Sequence, residues 1–315
     1  MKCLIVQPIH ADGLALLRAA GIDPVICPSP DMETVSGLIR GCQAVITRDL
    51  GLSGDAIAAS DVLQAIVVHG AGHDNVDKIA AARKGVLVCN TPGANARSVS
   101  ELALGLALAA ARLIPGADLA IRSGIPGFRE SHIFQELSGK TALIIGWGAT
   151  GAGLGRMLDS AFGMRVLVYS PRNPDSGGFE RVPTLAEGLA IADLVSLHTP
   201  LRDETRGLLD TKAFAVMKKG SILVNTARAG LVDETALAAA LAEGTVAAAG
   251  LDVYSHAAPQ GPLAATNRVI FTPHLGGTTE EALQRVATGA VKNVITALSG
   301  QRPATTIEVI AESAL

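Results

Sequence analysis

Cysteine is scarce and unpatterned: Cys3, Cys27, Cys42 and Cys89 are the four in 315 residues, and no two form a CxxC pair. The spacing of a zinc or dithiol site is therefore missing, and no metal is expected. Apolar, strand-like surroundings point to reduced, buried thiols and to a cytoplasmic protein. An excess of one charge is missing too. The 26 basic and 29 acidic residues leave a net charge of -3, and Lys and Arg nowhere cluster. Nucleic acid and anionic membrane are not expected as partners. Nor is there an apolar run of the ~20 residues a membrane span requires. The longest, from Glu101 to Leu113, carries charge at Glu101 and Arg112 and reads as a buried or interface helix. The opening MKCLIVQPIH passes straight into strand-like sequence without a small-residue cleavage site, so a secretory leader is not expected.

What is present is apolar and small. Hydrophobic residues make up 49%, charged residues 17%, and 34 glycines join many alanines, a composition suited to close helix-on-sheet packing. The length leaves room for two domains with full cores. Over residues 3 to 88, the runs CLIVQ, PVIC, QAVIT, QAIVV and VLVC alternate with helical stretches, the rhythm of a parallel sheet wrapped by helices. A second series starts at Thr141 with ALIIG, RVLVYS, DLVSLH, SILVN, VAAAGLDV and VIFTPH. Two doubly wound α/β sheets follow. Residues 123 to 140 read as a loop or arm before the second sheet, and Thr279 to Leu298 as one long amphipathic helix.

The sharpest motif is Gly146-Trp147-Gly148-Ala149-Thr150-Gly151, lying after the apolar strand Ala142 to Ile145 and opening a helix toward Phe162. In that context the first glycine permits a tight turn and the second lets backbone approach a pyrophosphate. The third allows helix and strand to pack closely, and the phosphates meet the positive helix end. The next strand, Arg165 to Tyr169, should end in Asp or Glu if the adenosine ribose keeps a free 2′-hydroxyl. Here it ends in Ser170, Pro171 and Arg172. A hydroxyl and a guanidinium can hold a 2′-phosphate that a carboxylate would repel, so NADP(H) is favoured, with NAD(H) left open.

The stretches HGAGHDNVD (69 to 77), NTPGANARSVSELALG (90 to 105), ELSGKTALIIGWGATG (136 to 151), DLVSLHTPLRDETRGLLD (193 to 210), MKKGSILVNTARAGLVDETAL (217 to 237), AGLDVY (249 to 254) and FTPHLGG (271 to 277) occur in one order along nearly the whole chain. As a series they resemble the D-isomer-specific 2-hydroxyacid dehydrogenases. The resemblance implies a Rossmann cofactor domain, 98–279, inserted into a flavodoxin-like substrate domain, 1–97 and 280–315. It implies Arg228 as the group that binds and polarises a 2-oxo acid, and His274 as the acid/base, chemistry that suits a planar guanidinium and a histidine titrating near neutrality. Ala71 and Gly72 would offer backbone N–H groups to the substrate carboxylate. Ala149 and Thr150 would face the diphosphate, and His198, Thr199, Pro200 and Thr205 the adenosine side. Thr226, Ala227, Arg228, His274 and Gly276 would line the nicotinamide side, with Asp252 accepting from the carboxamide. A homodimer is implied, built on the helix Glu101 to Leu113 and the arm after it.

One position departs from the pattern. The family's histidine is paired with a glutamate five residues after the Asp of LDV; here that position is Ala257, and no Asp or Glu occurs between Asp252 and Glu280. A carboxylate there would stabilise a protonated ring and fix its tautomer. Weakened catalysis is the expectation, and a cofactor-sensing or partner-binding protein is the competing class. A formate-dehydrogenase-like reaction, which needs no proton transfer to substrate oxygen, ranks last because no Gln stands at 257.

Overall fold

A computed structural model of the chain describes residues 1–308; residues 309–315, included in the expected substrate domain, lie outside the described residues. Two compact units emerge, one of Met1–Asn95 with Gly277–Leu315 and one of Ala96–Gly276.

In the first unit, β1 (Lys2–Ile5), β2 (Asp23–Ile26), β3 (Ala44–Thr47), β4 (Ala65–Val68) and β5 (Leu87–Cys89) alternate with α1 (Ala11–Ala19), α2 (Met32–Leu38), α3 (Gly54–Ala59) and α4 (Lys78–Arg83). All pairings are parallel, in the order β2-β1-β3-β4-β5. That is the flavodoxin-like order. The two-residue period of a strand divides its residues between two cores. Leu4, Val45, Ile66 and Val88 face one core, while Cys3, Ile5, Ile46, Val67 and Cys89 face the other. Helix α12 (Glu280–Leu298) covers the second face with Ala290, Val291 and Val294. Its N-terminus is capped by Thr279, whose hydroxyl accepts from Ala282 N–H, with Glu280 and Glu281 in the first turn. Against α1 it packs so closely at Gly13 that a Cβ there would lie 3.0 Å from that of Ala287. The four cysteines are free and buried.

The second unit holds β6 (Thr141–Ile145), β7 (Arg165–Tyr169), β8 (Glu180–Arg181), β9 (Leu194–Leu197), β10 (Ser221–Asn225), β11 (Val246–Leu251) and β12 (Val269–Phe271). The sheet runs β12-β11-β10-β9-β6-β7-β8 and every pairing is parallel. The two-residue β8 is an addition to the expected strands. Between β6 and β9 the connections reverse direction, which makes the carboxyl ends of these strands the topological switch point where α/β sheets bind ligands. One face packs on α5 (Ala96–Arg112) and α8 (Ala149–Phe162), burying Ala103, Leu106, Ala107 and Leu154 against Ile144, Val168 and Val224. On the other face Leu143, Leu167 and Leu223 meet residues of α9 (Leu185–Ile191), α10 (Thr211–Val216) and α11 (Glu234–Glu243). Helix α5 meets α6 (Ile114–Arg122) at a 58° bend, where Leu113 takes a left-handed conformation with φ of 51°. The stretch from 123 to 140 contains a single short helix, α7 (Phe128–Ser131). No single helix among the described residues is long and apolar enough to cross a membrane.

Candidate functional site

The glycine motif lies where β6 turns into α8. Gly146 has φ of +95°, and a Cβ on it would come within 2.7 Å of the His198–Thr199 backbone. At Gly151 a Cβ would lie 2.1 Å from Gly146 O, so helix and turn touch backbone to backbone. Gly148 differs: nothing lies within 4 Å of where its Cβ would be. It heads α8 with no side-chain cap, leaving the first turn of that helix, with Ala149 and Thr150, without a competing oxygen from its own N-cap side chain. Gly146 and Gly151 are thus required by the protein itself, and Gly148 opens onto free space.

Beyond β7 the backbone is braced by side chains of the same unit. Trp147 N–H donates to Ser170 Oγ at 3.2 Å, and Asn173 Nδ2 donates to Trp147 O at 2.7 Å. Arg181 spends its guanidinium on the carbonyls of Asn173, Pro174 and Ser170, at 2.7, 3.0 and 3.0 Å. The Trp147 indole is buried, edge-on to Phe179 and against Gly155, where a Cβ would lie 2.7 Å from the ring. Pro171 and Arg172 stand exposed in the turn, and the Arg172 guanidinium forms an ion pair with Glu204. Glu204 belongs to a short 3-10 turn, Asp203–Thr205, closed by Thr205, whose hydroxyl donates to Pro200 O at 2.8 Å and accepts from Arg202 N–H at 2.8 Å. His198 follows β9, its Nε2 2.8 Å from Ser196 Oγ, and burial pushes its pKa down to about 4. The ring is neutral at pH 7.

The residues expected at the reacting end sit on the loops after β10, β11 and β12. Asn225 is fully buried at the end of β10 and staples its own loop: Nδ2 donates to Arg228 O at 2.9 Å, and Oδ1 accepts from Ala227 N–H at 3.0 Å. Arg228 donates from one guanidinium nitrogen to Ala227 O at 2.7 Å. The Thr226 hydroxyl is buried and has no hydrogen-bond partner among the described residues. An orphaned buried hydroxyl there fits a polar ligand group supplied from outside the chain.

Asp252, 2% exposed at the end of β11, holds the β12 loop. Its carboxylate accepts from Thr272 Oγ1 at 2.5 Å, Leu275 N–H at 2.7 Å and Gly276 N–H at 2.9 Å. Gly276 also accepts at its carbonyl from Ser98 Oγ at 2.6 Å. Between these anchors His274 stands in the left-handed region with φ of +55°, one of two non-glycine residues there among those described. A non-glycine residue in that region costs about 1–3 kcal/mol, so its surroundings must hold it there. The hydrogen bonds that Asp252, the expected carboxamide acceptor, makes within the chain run to the His274 loop. Ala257 is exposed, and two residues before it Ser255 donates through N–H and Oγ to Glu234, at 2.6 and 2.5 Å.

Ala71 and Gly72 are in the first unit, exposed in the loop after β4. Ala71 O accepts from Asn90 Nδ2 at 2.7 Å, while Thr91 ties down Gly70 through its hydroxyl and its N–H. His69, at the head of this loop, is buried and its Nε2 has no hydrogen-bond partner among the described residues; burial, helped by the Arg48 charge, lowers its pKa to about 4. Among the described residues no group of three or more His, Cys, Asp or Glu could hold a metal ion. Asn225, Trp147, Arg181 and Ser98 carry structural duties at the site that their motifs did not signal. Only Asn225 left a trace, as the asparagine opening NTAR.

Residues 104–276 match the model of the D-isomer specific 2-hydroxyacid dehydrogenase NAD binding domain. A D-3-phosphoglycerate dehydrogenase of Methanocaldococcus jannaschii is 37% identical over 306 residues, which are 96% of this chain and 58% of that one. The chain spans about half the length of the curated relatives it matches. A solved structure from Thermus thermophilus superposes with a TM-score of 0.89 at 31% identity, covering 98% of this chain and all of the other. A glyoxylate reductase from Paecilomyes thermophila gives 0.85 at 28%, covering 98% of each. This chain belongs to the D-isomer specific 2-hydroxyacid dehydrogenase family, and its second unit is the NAD binding domain of that family.

Proposed function

We propose that the protein is an oxidoreductase that moves a hydride between NADP(H), in preference to NAD(H), and a small 2-oxo acid or D-2-hydroxy acid. The observation that carries this reading is the loop around His274: a buried carboxylate takes three hydrogen bonds to hold a histidine in a strained conformation, in the unit that also carries Arg228 and the glycine turn. Strain of that kind is kept where a side chain has work to do.

The nicotinamide supplies the hydride donor or acceptor when bound. Gly146, Gly148, Ala149, Thr150 and Gly151 hold its diphosphate, Ser170, Pro171 and Arg172 the 2′ position, and His198, Thr199, Pro200 and Thr205 the adenosine side. Thr226 and Ala227, with Gly276, line the nicotinamide end. Arg228 binds the substrate carboxylate and polarises the carbonyl. In reduction, His274 donates a proton to the substrate oxygen; in oxidation, it accepts that proton. Ala71 and Gly72 offer N–H groups to the carboxylate. The substrate domain comprises 1–97 and 280–315, and the protein works as a cytoplasmic homodimer. Ala257, where the family pattern has glutamate, lowers turnover without altering binding.

The test is spectrophotometric: NADPH and NADH oxidation with glyoxylate, hydroxypyruvate and larger pyruvate analogues. Turnover with at least one of them, faster with NADPH, is expected. Tight cofactor binding with no turnover on any 2-oxo acid would instead support a cofactor-sensing protein, the reading that Ala257 favours.

A further inference from the structure

We infer that Glu204 sets the cofactor selectivity of this protein by competing with a 2′-phosphate for the Arg172 guanidinium. The inference rests on the proposed preference for NADP(H) and adds the residue that opposes it. Around the turn after β7 the other polar groups already have partners: Arg181 is bound to three carbonyls, Asn173 to Trp147 O, and Ser170 Oγ to Trp147 N–H. Arg172 is the basic side chain of this turn whose partner is another side chain, and that partner is a carboxylate. Glu204 is not a passing neighbour, since Thr205 closes the turn that presents it.

The pair is soft. The two side chains are 67% and 52% exposed, and ion pairs so exposed are worth little in water. A phosphate monoester carries about -1.5 to -2 charge at pH 7 against the single charge of a carboxylate, so the exchange runs toward phosphate. It must still break the Glu204 contact and tolerate that carboxylate nearby. A ligand with a free 2′-hydroxyl makes no exchange and meets no such cost. Glu204 therefore narrows the gap between the two cofactors without touching the chemistry at Arg228 and His274.

Trp147 is the single tryptophan and lies inside the glycine turn, so its fluorescence can report binding without turnover. Dissociation constants for NADP+ and NAD+ would be measured in this way, with calorimetry as a check, for wild type, Glu204→Gln, Arg172→Ala and the double variant. Glutamine keeps the hydrogen-bond acceptor and removes the charge. Glu204→Gln should tighten NADP+ roughly two- to fivefold, the range of an exposed ion pair, and leave NAD+ unchanged. The gain should vanish when Arg172 is absent and shrink in high salt. An unchanged ratio of the two constants, or a gain that survives Arg172→Ala, overturns the inference. Wild type binding NAD+ more tightly than NADP+ would refute the underlying cofactor preference instead, and the effect of Glu204→Gln on the ratio would still decide the role of Glu204.

Discussion

His274 owes its place to Asp252, which holds Thr272, Leu275 and Gly276 around it. One buried carboxylate accepting three hydrogen bonds fixes the residues on both sides of the histidine, and the left-handed conformation is the product of that clamp. Asp252→Asn would point an N–H2 group at donors that need an acceptor. Turnover should fall by about a hundredfold, since a displacement near 1 Å at a reacting group has that cost. Steady-state kinetics alongside cofactor titration would read it; a fall in affinity with turnover intact would assign Asp252 to the cofactor instead. Ala257 is the second residue with consequences. It is exposed on a loop whose start is tethered to Glu234 through Ser255, so a longer side chain there has room. Ala257→Glu should raise the reduction rate and move the pH–rate profile upward, because a carboxylate within hydrogen-bond reach favours the protonated imidazole. Superimposed profiles would show that another group already performs that service.

At the scale of elements, the proposed function predicts that variants of the β6-turn-α8 unit will separate architecture from ligand binding. Gly148→Ala adds a methyl group into open space at the head of α8, so the protein should keep its melting temperature while losing cofactor affinity by tenfold or more. Gly146→Ala forces a Cβ to 2.7 Å from the backbone at a φ of +95°, and should lower stability by at least ~2 kcal/mol. Melting curves and titrations of the two variants make the comparison. Equal loss of stability in both would mean that Gly148, too, is architectural. The strand, turn and helix themselves are readable from the sequence, because an apolar run, GxGxxG and a helical stretch each leave a local mark. The apolar runs likewise announced eleven of the strands, and only the two-residue β8, too short to carry a pattern, escaped. What could not be read was partnership at a distance. Arg172 meets a carboxylate 32 residues on, and Asp252 meets a loop 20 to 24 residues on. Such pairings depend on how successive strands lie side by side, which no local spacing records.

For the molecule as a whole, buried His69 and partly buried His198 contribute to its response to acid. His69 in the first unit and His198 in the second each have a pKa near 4 against an ordinary 6.5. The unfolded chain takes up these protons first, so the stability they represent is complete above about pH 6.5 and is lost as pH falls through 4, roughly 3 kcal/mol for each. Denaturant midpoints between pH 7.5 and 4 should fall steadily; a flat profile would show that the rings are hydrated. The exposed apolar side chains give a second expectation. Ile114, Leu119, Ile121, Ile125 and Ile133 are 53 to 90% exposed along the stretch from α6 through the arm. Five large aliphatic groups so close in sequence fit a covered face, and the proposed occupant is a second copy of this chain. Sedimentation should give a dimer at micromolar concentration, and Ile121→Glu with Leu119→Glu should give monomers.

Helix α12 returns to the sheet where the chain began, closing over Cys3, Ile5, Ile46 and Val67 from a point more than two hundred residues later in sequence. Synthesis is vectorial, and this makes the two units unequal on the ribosome. The segment 96–276 is contiguous and can fold as soon as it emerges. The sheet before it must wait, one apolar face bare, for the time needed to translate that whole insertion, on the order of ten seconds or more. Of the two units, the one whose synthesis starts earlier is completed later, so the inserted segment can be folded before the sheet that flanks it is covered.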